Sequence, residues 1–167
     1  FTARNNTNLT QTYTFSVSEV LTPAFTGANT VYADVGAALS NPSGSLQLSP
    51  VFPATTIQTF SLSSDFGATL VNAGVNVGPA YTTATTGTSF YPLSTATAAG
   101  PVGTWNYMQI DTQFTLSGGR DVASVSGFAS ITAVPEPDDY ALMASGLLMM
   151  GFIATRPGRG KALVERL

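Results

Sequence analysis

The sequence predicts an all-β protein: a single antiparallel β-sandwich, jelly-roll or immunoglobulin-like, over residues 1–133, followed by a C-terminal hydrophobic helix within 134–167. Three observations carry that expectation. Apolar and hydroxyl-bearing residues alternate through several short runs, the period of half-buried strands. Turn residues punctuate those runs at short intervals, as in antiparallel sandwiches. Towards the C-terminus the composition changes to Leu, Met, Ala and Gly, a helix-forming mixture unlike the Thr- and Val-rich chain before it.

The first run, Leu9 to Glu19, places Leu9, Tyr13, Phe15 and Val17 on one face and Thr10, Thr12, Thr14, Ser16 and Ser18 on the other. A second holds Val31, Ala33 and Val35. After the turn signal Asn41-Pro-Ser-Gly44, a third holds Leu46 and Leu48. Ile57 to Leu62 and Ala68 to Val77 are weaker strands, separated by Asp65-Phe-Gly67 and closed by Gly78-Pro79. Tyr81 to Gly103 is a Thr/Ala/Gly/Pro run with little hydrophobic pattern and reads as a long loop or irregular edge. From Trp105 to Leu116 the alternation returns, with Asn106, Met108, Ile110, Thr112, Phe114 and Leu116 sharing a face. Ser117-Gly-Gly-Arg120 then reads as a tight hairpin turn into a last strand, Val122 to Thr132.

Charge is scarce and unevenly placed. Only 9% of residues are charged, against roughly 25% in ordinary domains, and the net charge is −3. No basic residue lies between Arg4 and Arg120, whereas Arg156, Arg159, Lys161 and Arg166 cluster at the end. Glu136, Asp138 and Asp139 form an acidic group before an uncharged stretch, Tyr140 to Ala154. Acid, apolar, basic is a membrane-ordered arrangement. It predicts a transmembrane helix over about 140–155, with Tyr140, Leu142, Leu147, Leu148, Met149, Met150, Phe152 and Ile153 as the anchor and Arg156, Arg159 and Lys161 as the basic tail. About fifteen helical residues reach roughly 22 Å, short of the roughly 30 Å hydrocarbon core. Snorkelling of Arg156 and Arg159, or local thinning, closes the difference. The basic end would face the cytoplasm. A buried core helix is the alternative, although the segment is apolar on all sides instead of along one stripe.

Val134-Pro-Glu-Pro137, followed at once by that helix and then by Arg156 and further basic residues, resembles the PEP-CTERM sorting domain of Gram-negative bacterial surface proteins. Phe114 to Gly127 is similar to the last hairpin of many proteins carrying this tail, and Asn5-Asn-Thr-Asn-Leu-Thr10 to their first strand. The resemblance implies processing by an exosortase, an integral-membrane enzyme that recognises the sorting motif Val134, Pro135, Glu136, Pro137. It also implies a membrane-anchored precursor in the inner membrane, then a cell-surface or extracellular location in bacteria that make exopolysaccharide or biofilm. Pro135 and Pro137 fix φ and disfavour helix at the residues before them, so the motif is expected to be extended, with Glu136 as its one charge. The family usually ends soon after a compact Arg-rich cluster, whereas Pro157-Gly158 and Gly160 to Leu167 extend this tail. Export requires a leader; Phe1 is not an initiator, so the leader is expected to have been removed or to lie outside the sequence.

The same composition excludes chemistries. With no His and no Cys there is no Ser-His-Asp triad, no thiol nucleophile, no disulfide and no soft-ligand metal site, and neither cofactor nor metal is expected. Six Lys plus Arg cannot neutralise a nucleic-acid backbone. Glu19, Asp34, Asp65, Asp111 and Asp121 form no motif for paired-carboxylate hydrolysis or calcium binding. Asp111 is expected to face outward, and Asp121 to form a solvated ion pair with Arg120. An enzyme is therefore not expected.

Two readings stand for the β body: a structural matrix protein presenting many hydroxyls to polysaccharide, or a carbohydrate-binding module. The module requires exposed coplanar aromatics from Tyr81, Phe90, Tyr91, Trp105 and Tyr107, with Tyr91 and Trp105 as candidate contacts. A soluble β-sandwich with no membrane step is the third alternative.

Overall fold

The computed structural model describes residues 1–135 and 137–154. Ten strands precede one helix: β1 (Thr2–Arg4), β2 (Gln11–Gly27), β3 (Asn29–Asn41), β4 (Leu46–Pro50), β5 (Gln58–Ser63), β6 (Val71–Val77), β7 (Tyr81–Thr83), β8 (Gly87–Ala99), β9 (Gly103–Leu116), β10 (Val122–Ala133) and α1 (Pro137–Ala154). The all-β class is that of the sequence prediction. The chain divides into two compact units at Val134–Pro135.

In the first unit the strands form two antiparallel sheets. One has the order β1-β10-β3-β8; the other runs β6-β5-β9-β4-β7, with β2 also paired to β9. Strand β9 is the spine of the second sheet. It pairs β2 along one edge, and along the other it pairs β5 (Gln58↔Thr112 to Ser63↔Tyr107) and then β4 (Leu48↔Leu116 to Pro50↔Phe114). One hydrophobic core draws on both sheets: Val31, Val35 and Leu39 of β3 and Val125 of β10 join Phe60, Leu62, Phe114 and Leu116. Burying such side chains at about 25 cal/mol per Å² is the main favourable contribution, since few charges are present to add to it.

The alternation expected along β3 holds, with Val31, Ala33 and Val35 fully buried. In β9 the expected apolar face is buried at Thr112, Phe114 and Leu116. The first expected strand begins later than its pattern suggests, at Gln11. Leu9 lies in the preceding turn and is exposed, and Val17 is 63% exposed on the edge strand, whereas Tyr13 and Phe15 stack near Phe114 at 5.7 and 6.4 Å. The Asn41–Gly44 turn forms as expected: Asn41 Oδ1 accepts from the Gly44 and Ser45 amides, and Gly44 adopts φ +88°.

Two expectations are corrected. Tyr81–Gly103 is not a loop, because β7 and the thirteen-residue β8 occupy most of it. Strand β8 pairs with β3 from Thr30↔Ala99 to Asn41↔Gly87, with a register shift between Val35 and Ala37. Its inward side is built from Tyr91, Ser94, Ala96 and Ala98, too small and too polar to stand out as a hydrophobic face, yet the β3 ladder satisfies its backbone. Nor do β9 and β10 form a hairpin, since Ser117–Asp121 carries the chain from one sheet to the other. Gly119 (φ +96°) and Arg120 (φ +72°) make the bend, and the Gly119 amide donates to Thr7 O at 2.8 Å.

In the second unit, α1 begins at Pro137, three residues before the expected start, with Asp138 and Asp139 in its first turn, where the helix dipole favours acids. Leu142, Leu147, Leu148, Met149, Met150, Phe152 and Ile153 are all exposed, as is Tyr140. Among the described residues no helix is long and apolar enough to cross a membrane. The acids of the first turn leave only the stretch after them uncharged, about 22 Å of helix. Thr155 and the expected basic residues Arg156, Arg159 and Lys161 lie outside the described residues, as does Glu136.

Candidate functional site

The expected sorting motif begins where the β unit ends. Strand β10 stops at Ala133, and the Val134 amide donates to Ala28 O at 3.0 Å, tying the last residue of the unit to the β2–β3 turn. Val134 is 44% exposed, and Pro135 is exposed. A proline removes the amide that would continue the ladder, so β10 ends there for a local reason. Pro137 then stands at the first helical position, where its fixed φ suits the turn.

The aromatic residues proposed for carbohydrate contact are placed differently. Tyr91 is 4% and Trp105 7% exposed, so neither offers a ring face to a glycan. Tyr91 packs edge-on against Tyr81 at 5.5 Å and donates to Pro79 O at 2.7 Å, and its burial pushes the phenol up to about 12. Trp105 covers Gly103, where a Cβ would meet its ring at 2.9 Å, and its Nε1 donates to Pro101 O. Tyr107 covers Gly67 in the same way. These rings are packing elements whose polar atoms find backbone or side-chain partners.

Phe90 and Phe128 are exposed on the outer face of the four-stranded sheet, whereas Phe52 and Phe66 are exposed in the loops after β4 and β5. Tyr32 and Phe128, on neighbouring strands β3 and β10, sit with ring centroids 6.2 Å apart, and Phe128 is 54% exposed. The Tyr32 hydroxyl donates to Asp34 Oδ2 at 3.0 Å, and this bond, with partial burial and the carboxylate charge, raises its pKa above the ordinary phenol value. Leu93 of β8 passes over Gly36 on the same face, with Phe90 nearby in register with Ala38. The sequence does carry the signal for this face: Tyr32 and Asp34 alternate with the buried Val31, Ala33 and Val35. The pairing of β3 with β10, which brings Phe128 beside them, is not local information. Chemically the face offers apolar rings and a carboxylate acceptor, the combination that meets a sugar's C–H face and hydroxyls.

Asp65, Asp111 and Asp121 serve local structure. Asp111 accepts from Gln109 and Ser16, and Asp65 accepts from the Ser63 hydroxyl and the Thr69 amide. Asp121 is not in a solvated ion pair: it is fully buried and held by Ser117. Among the described residues no group of three or more acids or other ligating side chains is placed to hold a metal ion.

Together these features define an all-β protein of two antiparallel sheets with a separate C-terminal helical unit. Compared with protein-family models, curated proteins and solved structures, the chain matches none.

Proposed function

We propose that this chain is an exported cell-surface or extracellular-matrix protein of a Gram-negative bacterium, sorted by an exosortase through Val134-Pro-Glu-Pro137, the apolar helix and the basic tail. Its role in this reading is structural, within exopolysaccharide or biofilm. The observation that carries the reading is the order at the end of the β unit: a strand stopped at Val134–Pro135, then a helix opened by Pro137 with Asp138 and Asp139, then an apolar stretch without a polar face. The Ser145 hydroxyl donates to Leu142 O at 2.8 Å within the helix, which satisfies it without water. Reaching across the bilayer then relies on thinning and on snorkelling by Arg156, Arg159 and Lys161.

We read the two sheets as one jelly-roll sandwich. Nested pairing supports this choice over an immunoglobulin-like one, since β1 pairs with β10, β2 with β9, and β3 with both β10 and β8.

The test is expression of the full chain behind an export leader in two Gram-negative hosts, one with and one without an exosortase. Cleavage and surface delivery are expected only with the enzyme, and Pro135→Ala combined with Pro137→Ala should leave uncleaved precursor in the inner membrane. Equal solubility of the full chain and of a form ending at Ala133, with no cleavage, would overturn the reading and leave a soluble β protein with no membrane step.

A second reading, a carbohydrate-binding surface module, is favoured by the Tyr32–Phe128 pair with Asp34 beside it. It rests on that face, not on Tyr91 or Trp105.

A further inference from the structure

A cleft of about 240 Å³ opens where β2, β5, β9 and β10 meet. Its walls are mainly apolar, from Phe1, Phe15, Val17, Ile110 and Val125; no charged side chain lines it, and the Phe1 ammonium donates to Val125 O at 3.0 Å. Phe1 and Phe15 stack with ring centroids 3.8 Å apart, which makes one wall flat.

Gln58 supplies the polar feature. Its side chain is 1% exposed, and Nε2 donates to the Asp34 backbone oxygen at 2.9 Å. Turning the amide over would set Oε1 against that carbonyl, so the orientation is fixed. Oε1 is buried and accepts from no donor of the protein. A buried acceptor without a donor is costly and rare.

Gly127 is the complementary feature. It stands at an inward-facing position of β10, between the buried Val125 and Ala129, yet it is exposed to the cleft. A Cβ at this position would lie 2.1 Å from Gln58 Oε1. The missing side chain both leaves room for the amide oxygen and opens the wall beside it.

We propose that this cleft binds a small, neutral, flat apolar molecule bearing one hydroxyl, of the phenol class, whose O–H donates to Gln58 Oε1. An ionic ligand would lose its hydration against mainly apolar walls, where the Phe1 ammonium is already engaged by Val125 O at 3.0 Å. A pure hydrocarbon would leave the acceptor without a donor. The site is separate from the sorting segment and from the Tyr32–Phe128 face, and its test does not depend on either.

The experiment titrates the ¹⁵N-labelled full chain with 4-methylphenol and with toluene, its counterpart lacking the hydroxyl. Shifts are expected at the Gly127 amide and the Gln58 side-chain amide, with 4-methylphenol about fivefold or more tighter, the value of one buried hydrogen bond. Val17→Trp at the exposed rim should block both probes while the melting temperature stays unchanged. Gln58→Met should abolish the preference for 4-methylphenol; should that variant fail to fold, Val17→Trp and the probe pair decide. Equal affinity for the two probes, no shift from either, or undiminished binding to Val17→Trp overturns the proposal.

Discussion

The Ser117 hydroxyl donates to Asp121 Oδ2 at 2.7 Å, and the carboxylate so held is fully buried, its Oδ1 accepting from no donor. Burial raises the pKa of Asp121 above the ordinary 3.8, and the Ser117 bond offsets only some of that rise. A carboxyl raised on folding favours the native state when protonated. Its contribution is present below pH 3.8 and is lost as pH rises through the folded value. Asp121→Asn is therefore expected to melt at a higher temperature than the parent at pH 7 and at the same temperature near pH 3. A variant less stable at both values would show that the carboxylate is satisfied in a way this geometry lacks.

Asp65 has the opposite sign. The Ser63 hydroxyl first, and then the Thr69 amide, hold its carboxyl down to about 2. Its contribution is present above the ordinary 3.8 and fades as pH falls towards about 2. Ser63→Ala should move the carboxylate titration, followed by ¹³C NMR, back up towards the ordinary value. A titration that does not move would reject Ser63 as the main cause.

Asn5 ties the start of the chain to the end of β9. Its Nδ2 donates to Leu9 O, Leu116 O and Ser117 O at 2.7, 3.0 and 3.1 Å, while Oδ1 accepts from the amide and hydroxyl of Thr7. Asn5→Ala should cost about 2–4 kcal/mol by urea denaturation, several buried hydrogen bonds being lost at once. Asn5→Asp, which keeps the acceptor but sets a carboxylate against three carbonyl oxygens, is expected to be at least as destabilising at neutral pH. A loss below about 0.5 kcal/mol in both would show that water replaces the side chain freely.

Trp105 and Phe128 separate packing from recognition. Trp105→Ala should cost about 3–5 kcal/mol of stability, as for a large side chain removed from a core. Phe128→Ala should leave stability within about 0.5 kcal/mol while abolishing any glycan retention measured on polysaccharide columns. Retention that survives Phe128→Ala removes the carbohydrate reading of that face.

Much of this arrangement is legible in the residues. Val31, Ala33 and Val35 announce β3, the face from Thr112 to Leu116 announces β9, and Asn41-Pro-Ser-Gly44 announces its turn, because each pattern is local and strongly contrasted. Strand β8 is hidden because Ala96 and Ala98 barely differ in hydropathy from the threonines between them; β3 supplies the ladder that makes it a strand. Asp121 reads as a turn acid beside Arg120, and only the crossing between sheets buries it. Tyr91 and Trp105 read as candidate glycan contacts because one lies within, and the other just after, a segment that looks like a loop, although lone aromatics in a sandwich more often pack in its core.

The residue order alone fixes the all-β character of the body, its scarcity of charge, and the acid, apolar and basic succession of the tail. Those are properties of composition and short-range period, which no packing alters. The tertiary structure decides which strands become partners, and with them which aromatics are buried, which acid is desolvated and where Gln58 meets Gly127. Each of these relations joins residues distant in sequence, and a one-residue change of register would turn every side chain of a strand to its other face.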